Sequence, residues 1–372
     1  MGIEGRATAE GTRAYAERYT RLGLAPGSYS AFSEWTVSSL GIGTYLGDAD
    51  SATSRGYTES LRLALRGGVN LIDTAINYRE QLSERIIGQV LRELIGRKEF
   101  TRQEVVVCTK AGFLPQDAEV SLSVSEYWRH EFVQTGLLKQ GDVVAGCHCI
   151  SPDFLEDQLQ RSLKNLGLEC VDVFHLHNPE MQLSEVSREE FTRRLGLAFA
   201  WCEEKVRQGK ISLYGTATWS GYRVWEDRQE YLDLAGLEAL ARRAGGEGHH
   251  FRVIQAPLNL MMPEALVVKN QMGRQASLLE AAQKLGLSFL ASASIMQGRL
   301  SRNLPDLLSR ELPGLLVDSQ RALQFTRSCP GVTAALVGMK KREHVLGNLA
   351  LMKADKARPE TMAKIFSKAD EI

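Results

Sequence analysis

The chain has 372 residues, 44% of them apolar, and its 45 Lys and Arg balance 45 Asp and Glu to a net charge of zero. That length and apolar share suit two ordinary domains or one large α/β barrel carrying an insertion. Balanced charge excludes a global field that would draw the chain to nucleic acid or an anionic membrane, so a small-molecule partner fits better.

Six cysteines lie scattered without a framework, and no stretch has a signal-peptide pattern or the length of a membrane span. The expectation is a reduced, cytoplasmic protein without a membrane or nucleic-acid partner. Residues 1–35 are polar, helix-forming from Ala7 to Thr20, and turn-prone at Ala25-Pro26-Gly27-Ser28. They read as an N-terminal extension. Thr36 to Tyr45 reads as a strand running into Leu40-Gly41-Ile42-Gly43-Thr44-Tyr45, where glycines let another group approach the backbone. Strand and amphipathic helix then alternate. Expected strands begin near 36, 69, 104, 171, 211, 252, 288 and 332, nearly all followed by helical periodicity. A long irregular stretch, 112–150, interrupts the rhythm, which resumes at Ser151-Pro152-Asp153 with Pro in the first helical turn. Eight such units argue a closed (β/α)8 TIM barrel over residues 36–355, followed by a tail, 356–372. No G-x-G-x-x-G opens a helix after a strand, which weakens a doubly wound alternative.

The strand ends carry the chemistry. Leu71-Ile72-Asp73 ends in an acid with Tyr78 five residues on, Val105 to Lys110 ends in a lysine, and Val171 to His177 ends in histidine. In a parallel barrel these ends converge on one mouth. From the residues alone, Asp73 and Tyr78 suit a helix cap and a rim ring equally well. Alternation places His175 and His177 on one face of their strand, so periodicity does not choose between them.

Taken in order, these residues resemble the aldo-keto reductase superfamily over roughly Leu40 to Leu351, with a leaning to its potassium-channel β-subunit-like branch. The resemblance is carried by Leu40-Gly41-Ile42-Gly43-Thr44, Ile72-Asp73-Thr74-Ala75 with Tyr78, Ser83-Glu84 with Gly88, and Thr109-Lys110. Further along it rests on Asp172 to His177, Gly209-Lys210, Gly215-Thr216 with Trp219-Ser220, Gln255, Gln297-Gly298, and Gly338 with Asn348. It implies Tyr78 as proton donor, Lys110 as the ammonium that brings that proton within reach, Asp73 as its holder, and an imidazole that positions the carbonyl. The motif places that imidazole before a residue and Pro, as in His177-Asn178-Pro179. His175 is then expected to be a satisfied interior histidine.

The resemblance also implies NADP(H), with NAD(H) as the alternative. Gly43, Thr44, Tyr45, Asp73, Thr218 and Gln255 would face the cofactor, Thr218 standing where the family usually has serine. Ile295, Gln297, Gly298 and Arg299 resemble the loop over the pyrophosphate. Gly338, Lys340, His344 and Asn348 would meet the adenosine end, where Lys340-Lys341-Arg342 gather cations at a helix start. Cys147-His148-Cys149 lacks a second ligand pair, so no metal is expected.

Two function classes follow. One is a carbonyl reductase or alcohol dehydrogenase acting on an aldehyde, ketone or sugar-like compound; the other is a cofactor-binding regulatory module with low turnover. The four filled catalytic positions favour the enzyme. The 112–150 insertion is expected to lie over the mouth, with Trp128 and Asn178 facing substrate.

Overall fold

The computed structural model describes residues 2–368, beginning with helix α1 (Ala9–Arg21), whose N-terminus is capped by the Thr8 hydroxyl. Strands β1 (Tyr29–Phe32) and β2 (Trp35–Ser38) then form an antiparallel hairpin. The expected strand from Thr36 to Tyr45 is therefore two strands. At Ser39 the chain changes partners: its N–H donates to Ser28 O at 2.7 Å, while the Ser38 N–H turns to Asn70 Oδ1 at 2.8 Å. Residues beyond it form β3 (Leu40–Gly43), the first barrel strand.

Seven further parallel strands close the barrel: β4 (Leu71–Asp73), β5 (Val106–Ala111), β6 (Val171–His177), β7 (Ile211–Ala217), β8 (Phe251–Pro257), β9 (Ser288–Ser292) and β10 (Val332–Gly338), the last pairing with β3. Helices α2 (Ser51–Arg66), α3 (Leu82–Gly96), α4 (Val124–Trp128), α5 (Pro152–Leu166), α6 (Arg188–Arg207), α7 (Leu234–Gly245) and α8 (Glu264–Val267) connect the earlier strands. They are followed by α9 (Leu278–Lys284), α10 (Asp306–Glu311), α11 (Asp318–Ser328), α12 (Arg342–Leu351) and α13 (Pro359–Ser367). Close helix packing needs Gly88 on α3: a Cβ there would lie 2.5 Å from the Leu166 carbonyl oxygen of α5. The stretch 356–372, expected as a tail, instead carries α13, which buries Met362 and Ile365 and sets Phe366 against Phe325; residues 369–372 lie outside the described ones.

The N-terminal residues close the floor. Ala7, Phe32, Trp35 and Val37 join Leu71, Val106, Val173, Val253 and Leu336 in an apolar cluster inside the barrel. A fully buried side chain of this size contributes about 1.5–3 kcal/mol. Beneath it, Asp172 accepts from the Arg102 guanidinium and the Ala7 and Val107 N–H groups, each at 2.7 Å. With the floor sealed, the mouth at the strand C-terminal ends remains open.

Candidate active site at the barrel mouth

Adjacent strands bring three of the singled-out side chains into a hydrogen-bonded row. Lys110, wholly buried on β5, places Nζ 2.8 Å from Asp73 Oδ2, 2.8 Å from the Thr74 carbonyl oxygen and 3.3 Å from the Tyr78 hydroxyl. Gln255 on β8 reaches across the barrel and donates to Asp73 Oδ1 at 2.9 Å. Burial, the largest influence on Lys110, pulls the ammonium down, but Asp73 and Tyr78 together hold it above the usual lysine value. Burial lifts the Tyr78 phenol; Lys110 opposes this and Asp73 adds to it, leaving the phenol above its usual value. Lys110 therefore does not bring the resting phenol down towards neutrality. Tyr78 holds its proton at neutral pH, with the Lys110 ammonium beside its oxygen.

The His177 ring stands edge-on to Tyr78, with centroids 5.9 Å apart. Burial, then the Lys110 ammonium, pushes its imidazole well below the usual histidine range, so the ring is neutral. Its Nδ1 is buried without a partner among the described residues. His175 lies wholly buried in the barrel interior, as expected, with the Thr109 backbone as its hydrogen-bonding neighbour.

These groups open on a cavity of about 540 Å³. Its wall includes Gly43, Thr44, Tyr45, Asp73, Tyr78, His177, Asn178, Thr218, Gln255, Ile295, Gln297 and Gly338. Lys110 lies beneath it. Gly298, Arg299, Lys340, His344 and Asn348 are not among the lining residues; Arg299, Lys340 and His344 are exposed, and Asn348 is buried. Arg342 shares its guanidinium with Glu59 at 3.0 Å.

Trp128 is also absent from the wall. The insertion leaves and returns as paired segments, Leu114 N–H to Cys147 O at 2.8 Å and Cys149 N–H to Gly112 O at 2.7 Å, and packs Tyr127 and Phe132 against Phe154 of α5. Trp128 is partly buried against that cluster and donates Nε1–H to Pro115 O at 2.9 Å. From the insertion only Phe113 lines the cavity.

Three further residues shape the site; the sequence offered Phe113 among the insertion's aromatics, while its reading gave Trp219 no place on the wall and passed over Glu180. Phe113 sits 4.9 Å from the His177 ring, and Trp219 stands half-exposed on the rim. Buried Glu180 holds the Trp219 loop by accepting N–H bonds from Trp219 at 2.8 Å, Ser220 at 3.1 Å and Gly221 at 3.3 Å. An acid directly after Asn178-Pro179 was the available signal.

A nicotinamide nucleotide suits this wall. Thr218 Oγ1 and Asn77 Oδ1 are buried polar atoms without partners among the described residues, and both side chains line the cavity. Met296, Gln297 and Gly298 all take positive φ, a conformation costly for residues with a Cβ, so the loop at the cavity's far side is held in an unusual shape.

Among the described residues no helix is long and apolar enough to cross a membrane. The model of the Aldo/keto reductase family matches residues 39–307. A Schizosaccharomyces pombe protein classed by name with voltage-gated potassium channel β subunits is 25% identical over 352 residues, 90% of each chain. An NADH-specific methylglyoxal reductase of Escherichia coli is 27% identical over 215 residues, 55% of this chain and 54% of that one. The fold is similar to that of an aldo-keto reductase from Klebsiella pneumoniae in complex with NADPH, with a TM-score of 0.62 and 20% identity over 93% of this chain and 96% of that one. Since the family model spans well over half of a chain that also folds as a closed (β/α)8 barrel, this protein belongs to the aldo/keto reductase family and is an NAD(P)-dependent oxidoreductase.

Proposed function

We propose that the protein reduces neutral aldehydes or ketones bearing an apolar or aromatic substituent, with Tyr78 as the proton donor and NADPH as the preferred reductant. The observation that carries this is the row from Asp73 through Lys110 to the Tyr78 hydroxyl, ending beside neutral His177 on the cavity wall. His177 donates a hydrogen bond that orients the carbonyl oxygen. Tyr78 passes its proton to that oxygen as negative charge develops there. The Lys110 ammonium, 3.3 Å away, stabilises the phenolate left behind, and Asp73 keeps that ammonium charged. The chemistry supplied by a bound reduced nicotinamide is hydride donation to the carbonyl carbon.

Thr218 and Gln255 would hold the carboxamide, Gly43 to Tyr45 would flank the ring, and Ile295 to Arg299 would cover the pyrophosphate. Lys340 would meet a 2′-phosphate, with Gly338, His344 and Asn348 around the adenosine. For the substrate end, Asp73 is the only charged residue on the wall among the described residues, and Lys110 neutralises it, while Tyr45, Phe113 and Trp219 supply aromatic surface. Such a wall gives a carboxylate nothing to pair with and an apolar group a dry contact.

The likeness to a protein named with channel β subunits supports a second reading, a regulatory subunit that binds cofactor and turns over slowly. The test is loss of the reduced-nicotinamide absorbance with a panel of benzaldehydes, aliphatic aldehydes and keto acids, run with NADPH and NADH. Turnover of neutral aromatic aldehydes is expected. Tight NADPH binding with no turnover of any compound would favour the regulatory reading.

A further inference from the structure

The insertion supplies a histidine with no part in the chemistry above. His148, between Cys147 and Cys149, is wholly buried, and its Nε2 lies 2.7 Å from the main-chain carbonyl oxygen of His177. A carbonyl only accepts, so Nε2 carries the hydrogen. Nδ1 is 2.8 Å from Gln182 Nε2, and the Gln182 amide is oriented by Arg194, whose Nη1 donates to Gln182 Oε1 at 2.9 Å. Arg194 is in turn held by Glu190 at 2.7 Å and by the Gly141 carbonyl oxygen at 2.8 Å. One directed run of donors thus passes from α6 through Gln182 and His148 to the end of β6.

The carbonyl it reaches lies just past the ladder. Pairing of β5 with β6 ends at Ala111 and Leu176, so on that side His177 is the first residue without a strand partner. Phe113 fills the angle between the two histidines, edge-on to His148 at 5.3 Å and to His177 at 4.9 Å. Gly112 makes the approach feasible: a Cβ there would meet the His177 oxygen at 2.6 Å and His148 Nε2 at 2.8 Å.

We infer that His148 is a positioning residue for carbonyl reduction: its Nε2–H anchors the His177 main chain, and with Phe113 it fixes the plane in which the His177 ring meets the substrate oxygen beside Tyr78. This rests on the reductase reading. A ring carried on a strand end paired on the β7 side alone would otherwise tilt, and displacement of about 1 Å in a catalytic constellation costs on the order of 10²-fold in rate. The insertion therefore acts on the reaction from behind His177 as well as through Phe113 on the cavity wall.

The experiment compares wild type, His148→Phe, which keeps the ring volume and loses the donor, and His148→Gln, whose amide nitrogen restores one. With a turned-over aldehyde, kcat for His148→Phe should fall on the order of 10- to 100-fold while NADPH affinity, read by fluorescence, stays within about twofold. His148→Gln should recover most of the loss. Equal kcat in all three, or equal losses in Phe and Gln variants, would overturn the inference. Should His148→Phe fail to fold, two readouts remain. Two-bond ¹H–¹⁵N spectra of the wild type should show His148 as the Nε2–H tautomer, and an Nδ1–H tautomer would contradict the anchor. Gly112→Ala, which parts the pair without altering either side chain, should lower kcat in the same way, and unchanged kcat there would count against it. Lack of wild-type turnover with any carbonyl compound would overturn the reductase reading instead, leaving the tautomer test of the anchor standing.

Discussion

Replacing Asp73 by Asn removes the counter-charge of Lys110 at almost constant size, and the structure sets what that should do. Lys110 is 0% exposed, with Nζ 2.8 Å from Asp73 Oδ2. Removing one partner of a buried pair costs about 3–5 kcal/mol, because the other charge is left without compensation. Two features bring the expectation to the lower end. The amide oxygen of the substituted side chain still accepts a hydrogen bond, and Lys110 can lose its proton, since burial would then dominate and pull it down. A loss of about 3 kcal/mol is expected at pH 7. An amine without its proton offers no positive charge to a departing Tyr78 proton, so kcat should fall on the order of 10²- to 10³-fold. Lys110→Met should destabilise comparably by stranding the Asp73 carboxylate, to which Gln255 still donates at 2.9 Å. The double variant removes both charges and should regain stability to within about 1 kcal/mol of wild type, because apolar replacement of a whole buried pair is often neutral. Its kcat should stay low. Urea unfolding followed by circular dichroism, beside steady-state rates, reads both quantities. Additive single losses in the double variant, or kcat within about threefold of wild type in Asp73→Asn, would refute the reasoning.

The buried histidines should govern acid stability: burial holds His148 at about 4 and His175 at about 3, whereas unfolded histidine titrates near about 6.5. As pH falls below that value the unfolded chain binds protons first, so each ring should cost about 1.4 kcal/mol per pH unit between pH 6 and 4.5. In urea titrations His175→Leu should reduce that slope by one ring's share; an unchanged slope would contradict the assignment. Neutralising Lys340 and Arg342 together should raise the NADPH dissociation constant by about tenfold, with NADH within about twofold, because only NADPH brings the extra phosphate. Equal effects would make the cluster a solvated helix start. Trp219→Ala should lower kcat/KM for bulky aromatic aldehydes by about tenfold and leave small aliphatic ones within about twofold, whereas Trp128→Ala should change stability and not selectivity. A uniform fall for Trp219→Ala would remove it from the substrate wall.

The barrel was legible where burial and period agree, as in Leu71 to Asp73 and Val171 to His177, each a buried run ending in a charged or polar group. It was misread at Ser38-Ser39, where no local signal marks the change of partners; that depends on Ser28 and Asn70, distant in sequence. The row from Asp73 through Lys110 to Tyr78 was readable because parallel strand ends must meet, a rule that needs no coordinates. Loop contributors escaped it. Trp128 lies on a short helix whose apolar face is set by Phe154 of α5, and residue order does not say which surface an insertion covers. Cys147-His148-Cys149 drew attention as an incomplete metal pattern, while the partners of His148 lie at 177 and 182 and are brought to it by the fold. In α13 the signals were present, Pro359 at the first turn and Met362 with Ile365 on one face, and the reading of a tail passed over them.

The central claim is that Tyr78 delivers the proton, and Tyr78→Phe tests it most directly, since it removes one oxygen and keeps the ring that meets His177. NADPH affinity should be unchanged and kcat for an aromatic aldehyde should fall about 10²- to 10⁴-fold, the usual cost of losing a positioned general acid. Turnover within about threefold of wild type would contradict the account.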